Sequence, residues 1–195
     1  MQSEPLPLFL YLNVDNHKAI STDLGNYVVK HTDLLASKSW RGLKKLEVSH
    51  VLEHVPLLKD FCEQKMLDPV FMAVTIMSPN GGEDPHADSD RPWVRILWPV
   101  TNCIGSLTKL YHVSKNCYYE GNNKDISFVT FYFVKENTAV QQVGSFELRQ
   151  PVVFDTGEFH SIHRVPNSSG PRISFSMGFD RDLEISNSMQ AWLNF

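Results

Sequence analysis

Two residues of types that bind metal ions stand two positions apart near the middle of the chain. His86 and Asp88 follow a Gly81-Gly82 turn, and in an extended backbone residues two apart point to the same side. His163 lies 75 residues beyond Asp88, in a second extended segment. Two histidines and one carboxylate form the facial set that holds non-haem Fe(II) and leaves coordination positions open for catalysis. The spacing therefore indicates a catalytic metal site.

A second pair of polar residues supports this interpretation, because a His-x-Asp pair by itself often matches by chance. Arg172 and Ser174 lie on one face of a strand-like run that begins nine residues after His163. A guanidinium beside a hydroxyl could hold a distant carboxylate through charge-assisted hydrogen bonds, at about 1.5 to 3 kcal/mol each. We expect a ligand with an acid at one end and a chelating group at the other.

The elements that position these residues change character along the chain. From about 21 to 66, apolar residues recur at three- and four-residue steps, which predicts two or three helices with an interruption near Pro56. After Pro69 the pattern predicts short strands over 70–77, 93–100, 107–113, 128–134, 145–148, 152–155 and 173–179. The polar segment 114–126 is interpreted as a loop that covers the mouth of a sandwich. Antiparallel sheets stacked as a sandwich or jelly roll follow from this order.

The last predicted strand, 173–179, together with Arg172 before it, alternates strictly between polar and apolar residues. If its polar face lines a cavity, its apolar face needs a cover. The helices before residue 68 could supply that cover.

Composition excludes several classes of protein. The chain has 195 residues, of which 42% are hydrophobic and 21% charged, and it carries a formal net charge of −4. These values exclude disordered and collagen-like chains, and no apolar run is long enough to span a bilayer. The charge gives no reason to expect nucleic acid or an anionic membrane as a partner. Three cysteines without a CxxC spacing suit a reducing compartment, so we expect a cytoplasmic protein. We expect its partner to be a small-molecule or peptide substrate.

Taken together, these residues resemble the Fe(II)- and 2-oxoglutarate-dependent dioxygenase superfamily. The resemblance rests on His86-x-Asp88, on Arg172-x-Ser174 with a closing Phe179, and on the segment 156–165, TGEFHSIHRV. That segment is similar to the one carrying the distal histidine in the prolyl-hydroxylase-like and isopenicillin-synthase-like branches. The resemblance covers roughly 71–180.

The resemblance implies a double-stranded β-helix, a jelly-roll fold that is mainly β with flanking helices. We expect a single domain over 1–195, with a mostly helical cover over 1–68, the jelly-roll core over 69–180 and a tail over 181–195. The resemblance also implies Fe(II) as the metal, 2-oxoglutarate as cosubstrate and O2 as oxidant, with hydroxylation as the usual outcome.

The resemblance assigns the site residues as follows. His86, Asp88 and His163 would bind Fe(II), and Arg172 and Ser174 would bind the far carboxylate of 2-oxoglutarate. Tyr111 could also reach the cosubstrate, although packing in the core is an equal alternative.

The distal segment offers two histidines, and only one of them can be a ligand. Three residues apart on a strand, His160 and His163 face opposite sides of the sheet. His163 is preferred because its spacing to Arg172 and the adjoining Arg164 fit the family pattern better. His160 is the alternative.

Two other functions remain open at this stage. The fold could be a cupin-like binding module without catalysis. A zinc hydrolase is the third hypothesis, because His50 and His54 lie one helical turn apart with Glu53 between them as a possible base. The sequence shows no distal acidic ligand on a second helix to complete that site.

Overall fold

The computed structural model describes residues 8–33, 35, 42–89, 94–123, 126–164 and 170–179, with backbone alone for 122, 123 and 126–129. Its helices are α1 (His17–His31), α2 (Val48–His54) and α3 (Pro56–Gln64). Its strands are β1 (Phe9–Tyr11), β2 (Gly42–Leu46), β3 (Pro69–Met77), β4 (His86–Asp88), β5 (Val94–Thr101), β6 (Ser106–His112), β7 (Tyr118–Asn123), β8 (Ile126–Val134), β9 (Gln141–Glu147), β10 (Val152–Asp155), β11 (Phe159–Arg164) and β12 (Arg172–Phe179).

The strands form two antiparallel sheets with the connectivity of a jelly roll. One sheet has the order β1-β10-β5-β12-β3-β2 and the other the order β7-β8-β4-β11-β6-β9. Eight of the strands pair as a set of nested hairpins, β3 with β12, β4 with β11, β5 with β10, and β6 with β9. Chain segments that fold back on one another in this way wind into a double-stranded β-helix. The predicted fold class is confirmed.

The helices cover the outer face of the first sheet. On β12, the apolar side chains of Ile173, Phe175 and Met177 point outward and pack in one buried cluster with Leu24 of α1 and Leu58 of α3. Apolar residues recur along α1 at the helical period, and α3 begins with a proline in its first turn, where the missing N–H costs nothing.

The polar face of β12 is therefore turned toward the space between the sheets. Ser174 and Ser176 both line the cavity found there. The alternation read from the sequence thus separates a helix-covered face from a cavity-lining face.

Two local predictions were wrong. The segment 42–46, predicted within the helical region, is strand β2, because its backbone pairs with β3 along five residues. The polar segment 114–126 contains strand β7, which forms a hairpin with β8 at the edge of the second sheet. Tertiary pairing overrides local propensity in both places. The predicted tail over 181–195 lies outside the described residues.

None of the helices in the described part of the chain is long and apolar enough to cross a membrane.

Candidate metal centre

The nested hairpins bring two histidines and an aspartate together on the inner face of the second sheet. His86 and Asp88 lie on β4, and His160 of β11 stands directly opposite His86 in the ladder. Nitrogen atoms of the two imidazoles and a carboxylate oxygen of Asp88 all lie within 4.8 Å of one another. Asp88 and His160 are 6% and 7% exposed, respectively. This is the donor set that the His-x-Asp spacing predicted, with one member changed.

Backbone hydrogen bonds fix which nitrogen each imidazole presents. The Nδ1 of His86 lies 2.8 Å from the carbonyl oxygen of Asp84, and the Nδ1 of His160 lies 2.9 Å from that of Glu158. A carbonyl oxygen only accepts, so Nδ1 carries the proton in both rings. The lone pair of each neutral ring is then on Nε2, and a hydrogen bond of this kind also orients a metal-binding histidine.

Burial keeps the imidazole of His160 neutral. Desolvation, followed by the neighbouring His86, lowers the pKa of His160 from 6.5 to about 4. Only a neutral imidazole can donate a lone pair to a metal ion. The ring is therefore ready to bind a metal at neutral pH.

Arg95 of β5 holds the carboxylate of Asp88 from the opposite sheet. Its Nη1 lies 2.7 Å from Oδ2 of Asp88, and both side chains are 6% exposed. The guanidinium also stacks over the ring of Phe71, 4.5 Å from its centroid. A carboxylate has two oxygens, so one can accept from Arg95 while the other faces a cation. The sequence analysis did not identify Arg95 as the partner of Asp88.

His163 does not belong to this cluster, and the preference for it over His160 was wrong. Residues alternate between the two faces of β11, and it is His160 that faces inward. His163 is exposed on the outer face, where its Nε2 lies 2.8 Å from Oγ of Ser161 and 3.3 Å from the hydroxyl of Tyr111.

The prediction that Tyr111 reaches the cosubstrate is corrected for the same reason. Tyr111 stands opposite Phe159 in the ladder, on the outer face of the sheet, and packs in a buried cluster with Phe159 and Ala87. The packing alternative is the one that the structure supports.

A cavity of about 390 Å³ opens beside the His86, Asp88 and His160 side chains. Both sheets contribute to its wall. Its polar lining includes hydroxyl groups, from Thr75, Thr108, Thr156, Ser174 and Ser176. Its apolar lining includes Leu43, Leu97, Phe131, Phe133, Phe154 and Ile162. A small organic ligand could lie against the three clustered side chains within this space.

Two arginines lie close together between the sheets. Arg172 is 1% exposed and donates from Nη1 to Oγ of Ser174 at 2.9 Å, while its Nε has no hydrogen-bond partner. Arg172 itself is not part of the cavity wall, whereas Ser174 is. Arg164 donates to the carbonyl oxygens of Ser78 and Gly170, and its Nε and Nη2 are buried without a partner.

No described carboxylate lies within ion-pair distance of either guanidinium. Desolvation and then the charge of Arg172 lower the pKa of Arg164. Burying a positive charge without a partner costs free energy, so an anion bound beside Arg164 and Arg172 would be stabilised. Arg164 follows His160 by four residues on the inward face of β11, and the sequence analysis missed its role because it placed His163 on that face.

The residues of the zinc-hydrolase hypothesis lie in the helical layer and not beside the cavity between the sheets. His50 and His54 lie on α2, and a third histidine, His31 of α1, completes their group. The described group contains no acidic side chain, so Glu53 has no place in it.

Known proteins resemble this chain only weakly. No protein-family model matches the chain, and no curated protein matches it either. Among solved structures, the chain is similar to a Pseudomonas putida prolyl-4-hydroxylase, with 14% identity and a TM-score of 0.44 over 89% of this chain and 92% of the other. It is similar to E. coli ycfD, with 16% identity and a TM-score of 0.41 over 78% of this chain, but it spans only 36% of that protein.

An oxalate oxidase in complex with the substrate analogue glycolate is also similar, with 12% identity and a TM-score of 0.38 over 91% of this chain and 76% of the other. At these identities the chemistry of the site depends on the side chains described above.

Proposed function

We propose that this protein is an Fe(II)- and 2-oxoglutarate-dependent oxygenase that hydroxylates an amino acid, a protein residue or a small metabolite. The observation that carries the proposal is the convergence of His86, Asp88 and His160 beside a cavity that also receives Ser174, the hydrogen-bond partner of Arg172.

The donor set fits Fe(II). Two imidazole nitrogens and one carboxylate oxygen are the ligands of the 2-His-1-carboxylate facial triad. Such a triad leaves open positions, and here a cavity of about 390 Å³ adjoins them. The hydrogen bonds from the two Nδ1 atoms and the ion pair with Arg95 would hold the three ligands in place.

The arginine pair fits a dicarboxylate such as 2-oxoglutarate. One carboxylate end would meet the hydroxyl of Ser174, which lines the cavity and accepts a hydrogen bond from Nη1 of Arg172. The buried guanidinium of Arg172 behind this hydroxyl, and Arg164 nearby, would supply positive charge. The other end of the molecule would then lie toward His86 and His160.

When bound together, Fe(II), 2-oxoglutarate and O2 supply an oxidation that places one oxygen atom in a C–H bond of the substrate and the other in succinate, with release of CO2. The residues of the protein bind and orient these reactants and shield them from water. His86, Asp88 and His160 hold the metal, Arg95 holds the carboxylate of Asp88, and the apolar wall limits access of water.

The test is anaerobic addition of Fe(II) and 2-oxoglutarate to the purified protein, followed by exposure to air. We expect a weak visible charge-transfer band and then release of succinate, slowly even without substrate. Asp88→Ala should abolish both signals. Arg172→Met should weaken 2-oxoglutarate binding more than iron binding, whereas Arg149→Met, which removes an exposed guanidinium outside the cavity, should change neither.

Other results would refute the proposal. Iron binding with no band and no succinate would favour a cupin-like binding module. An unchanged affinity for 2-oxoglutarate in Arg172→Met would show that the arginine pair serves another anion or none.

A further inference from the structure

Three histidines lie together in the helical layer, outside the jelly-roll cavity. His50 and His54 stand on successive turns of α2, and His31 lies at the end of α1. One nitrogen atom from each ring lies within 4.8 Å of the other two. The ring centroids are 4.3 Å apart for His50 and His54, 4.5 Å for His31 and His54, and 5.2 Å for His31 and His50. Residues far apart in the sequence thus present three imidazoles to one point.

Hydrogen bonds orient two of these rings in the way that metal-binding histidines require. The Nδ1 of His54 donates to the carbonyl oxygen of His50 at 2.9 Å, which leaves its lone pair on Nε2. The Nδ1 of His50 lies 2.7 Å from the hydroxyl of Tyr27. If His50 donates this hydrogen bond, its Nε2 is also free to bind a cation.

Tyr27 also supports the third ring. Its side chain stacks on His31 with 5.0 Å between centroids and 25° between planes. This stacking holds the plane of the His31 ring beside the other two imidazoles.

From this geometry we propose that His31, His50 and His54 bind a divalent transition-metal ion of the Zn²⁺ class. Imidazole ligands suit Zn²⁺, Ni²⁺ and Cu²⁺ and do not suit Mg²⁺ or Ca²⁺. In a tetrahedral site with Zn–N near 2.1 Å the ligand nitrogens are about 3.4 Å apart, so the cluster must contract by at most about 1.4 Å. Rotation of the imidazoles can supply that movement.

The ion would join α1 to α2 and keep one position for water. A cavity of about 310 Å³ adjoins the cluster, lined by Asp23, Asn26, Tyr27, Lys30, His31, His54 and Pro56. Three protein ligands with water in the fourth position form a stable zinc arrangement. The helices cover the outer face of the first sheet, so this site is separated from the His86, Asp88 and His160 cluster on the inner side.

The test uses His160→Ala as the background, because that change disables the first centre. Titration with Zn²⁺ by calorimetry should show one saturable site, and Co²⁺ should give the intense visible absorption of a tetrahedral ion. Adding His31→Ala should remove both signals. Adding His112→Ala instead, which deletes an exposed histidine on β6, should leave them unchanged, and Mg²⁺ should not compete.

A second measurement keeps the proposal testable if the His160→Ala background does not fold. In the wild-type protein, His31→Ala should reduce the bound Zn²⁺ by one ion per chain, whatever the first centre holds, and should lessen the rise in melting temperature that Zn²⁺ causes. Absence of saturable binding below about 100 μM Zn²⁺ would overturn the proposal. So would an unchanged affinity in His31→Ala, and neither result bears on the iron centre.

Discussion

His160→Ala and His163→Ala form a matched pair that tests the proposed iron centre. Both changes remove an imidazole from the same strand, three residues apart. We expect His160→Ala to lose the iron site and His163→Ala to keep it, because only His160 faces His86 and Asp88.

The structure sets the expected magnitudes. Loss of an outer-shell partner alone reduces metal affinity by about 10- to 100-fold, so loss of a direct ligand should cost at least about 100-fold, or about 2.7 kcal/mol. His163 is exposed, and its contacts are hydrogen bonds to Ser161 and Tyr111. Its removal should lower the free energy of unfolding by about 1 kcal/mol and change iron affinity by less than about twofold.

The assay is a titration of Fe(II) at saturating 2-oxoglutarate under anaerobic conditions, read by the visible charge-transfer band. This band requires both ligands in one site, so metal held by His31, His50 and His54 does not contribute. Denaturant unfolding of both metal-free variants shows whether each still folds. A band that survives in a folded His160→Ala variant and disappears in His163→Ala would refute the geometry proposed for the centre.

Three further outcomes follow from the buried polar groups. Arg95→Met should lower the free energy of unfolding of the metal-free protein by about 3 to 5 kcal/mol, because it leaves the buried carboxylate of Asp88 unpaired. Urea unfolding measures this loss, and a loss below about 1 kcal/mol would contradict the prediction. The pKa of His160 falls from 6.5 to about 4 on folding, so the unfolded chain binds more protons between these values, and metal-free stability should fall by up to about 3 kcal/mol as the pH drops through that range. Urea unfolding at about pH 7.5 and about pH 4.5 should show a smaller pH effect in His160→Ala, and an equal effect would contradict the assignment. Ser174→Ala should weaken 2-oxoglutarate binding by about tenfold, because it removes one hydrogen bond to a charged group, whereas Ser176→Ala, whose hydroxyl bonds a backbone carbonyl, should not; equal effects on calorimetric affinity would contradict this role.

Several features of the site could be predicted from the sequence because strand geometry is local. The alternation along 172–179 placed Arg172 and Ser174 on one face, and in the structure the two side chains share a hydrogen bond. The two-residue spacing of His86 and Asp88 likewise predicted a common face. Residues three apart on a strand face opposite sides, so the sequence also indicated that only one of His160 and His163 can be a metal ligand.

The remaining features depended on contacts between distant segments. The sequence does not state which face of β11 turns inward, because that depends on its register with β4 and β6, and a shift of one residue exchanges the two faces. Pairing with β3 likewise made a strand of residues 42–46, where the local pattern suggested a helix.

By itself, then, the sequence determined which residues can share a side, because backbone geometry fixes the period of each strand. Only the tertiary structure decided which sides face one another. His160 lies opposite His86 in a pair of strands, Arg95 contacts Asp88 from the opposite sheet, and His31 lies beside His50 and His54 because two helices pack together. These contacts depend on packing between segments that are distant along the chain, so local spacing in the sequence does not predict them.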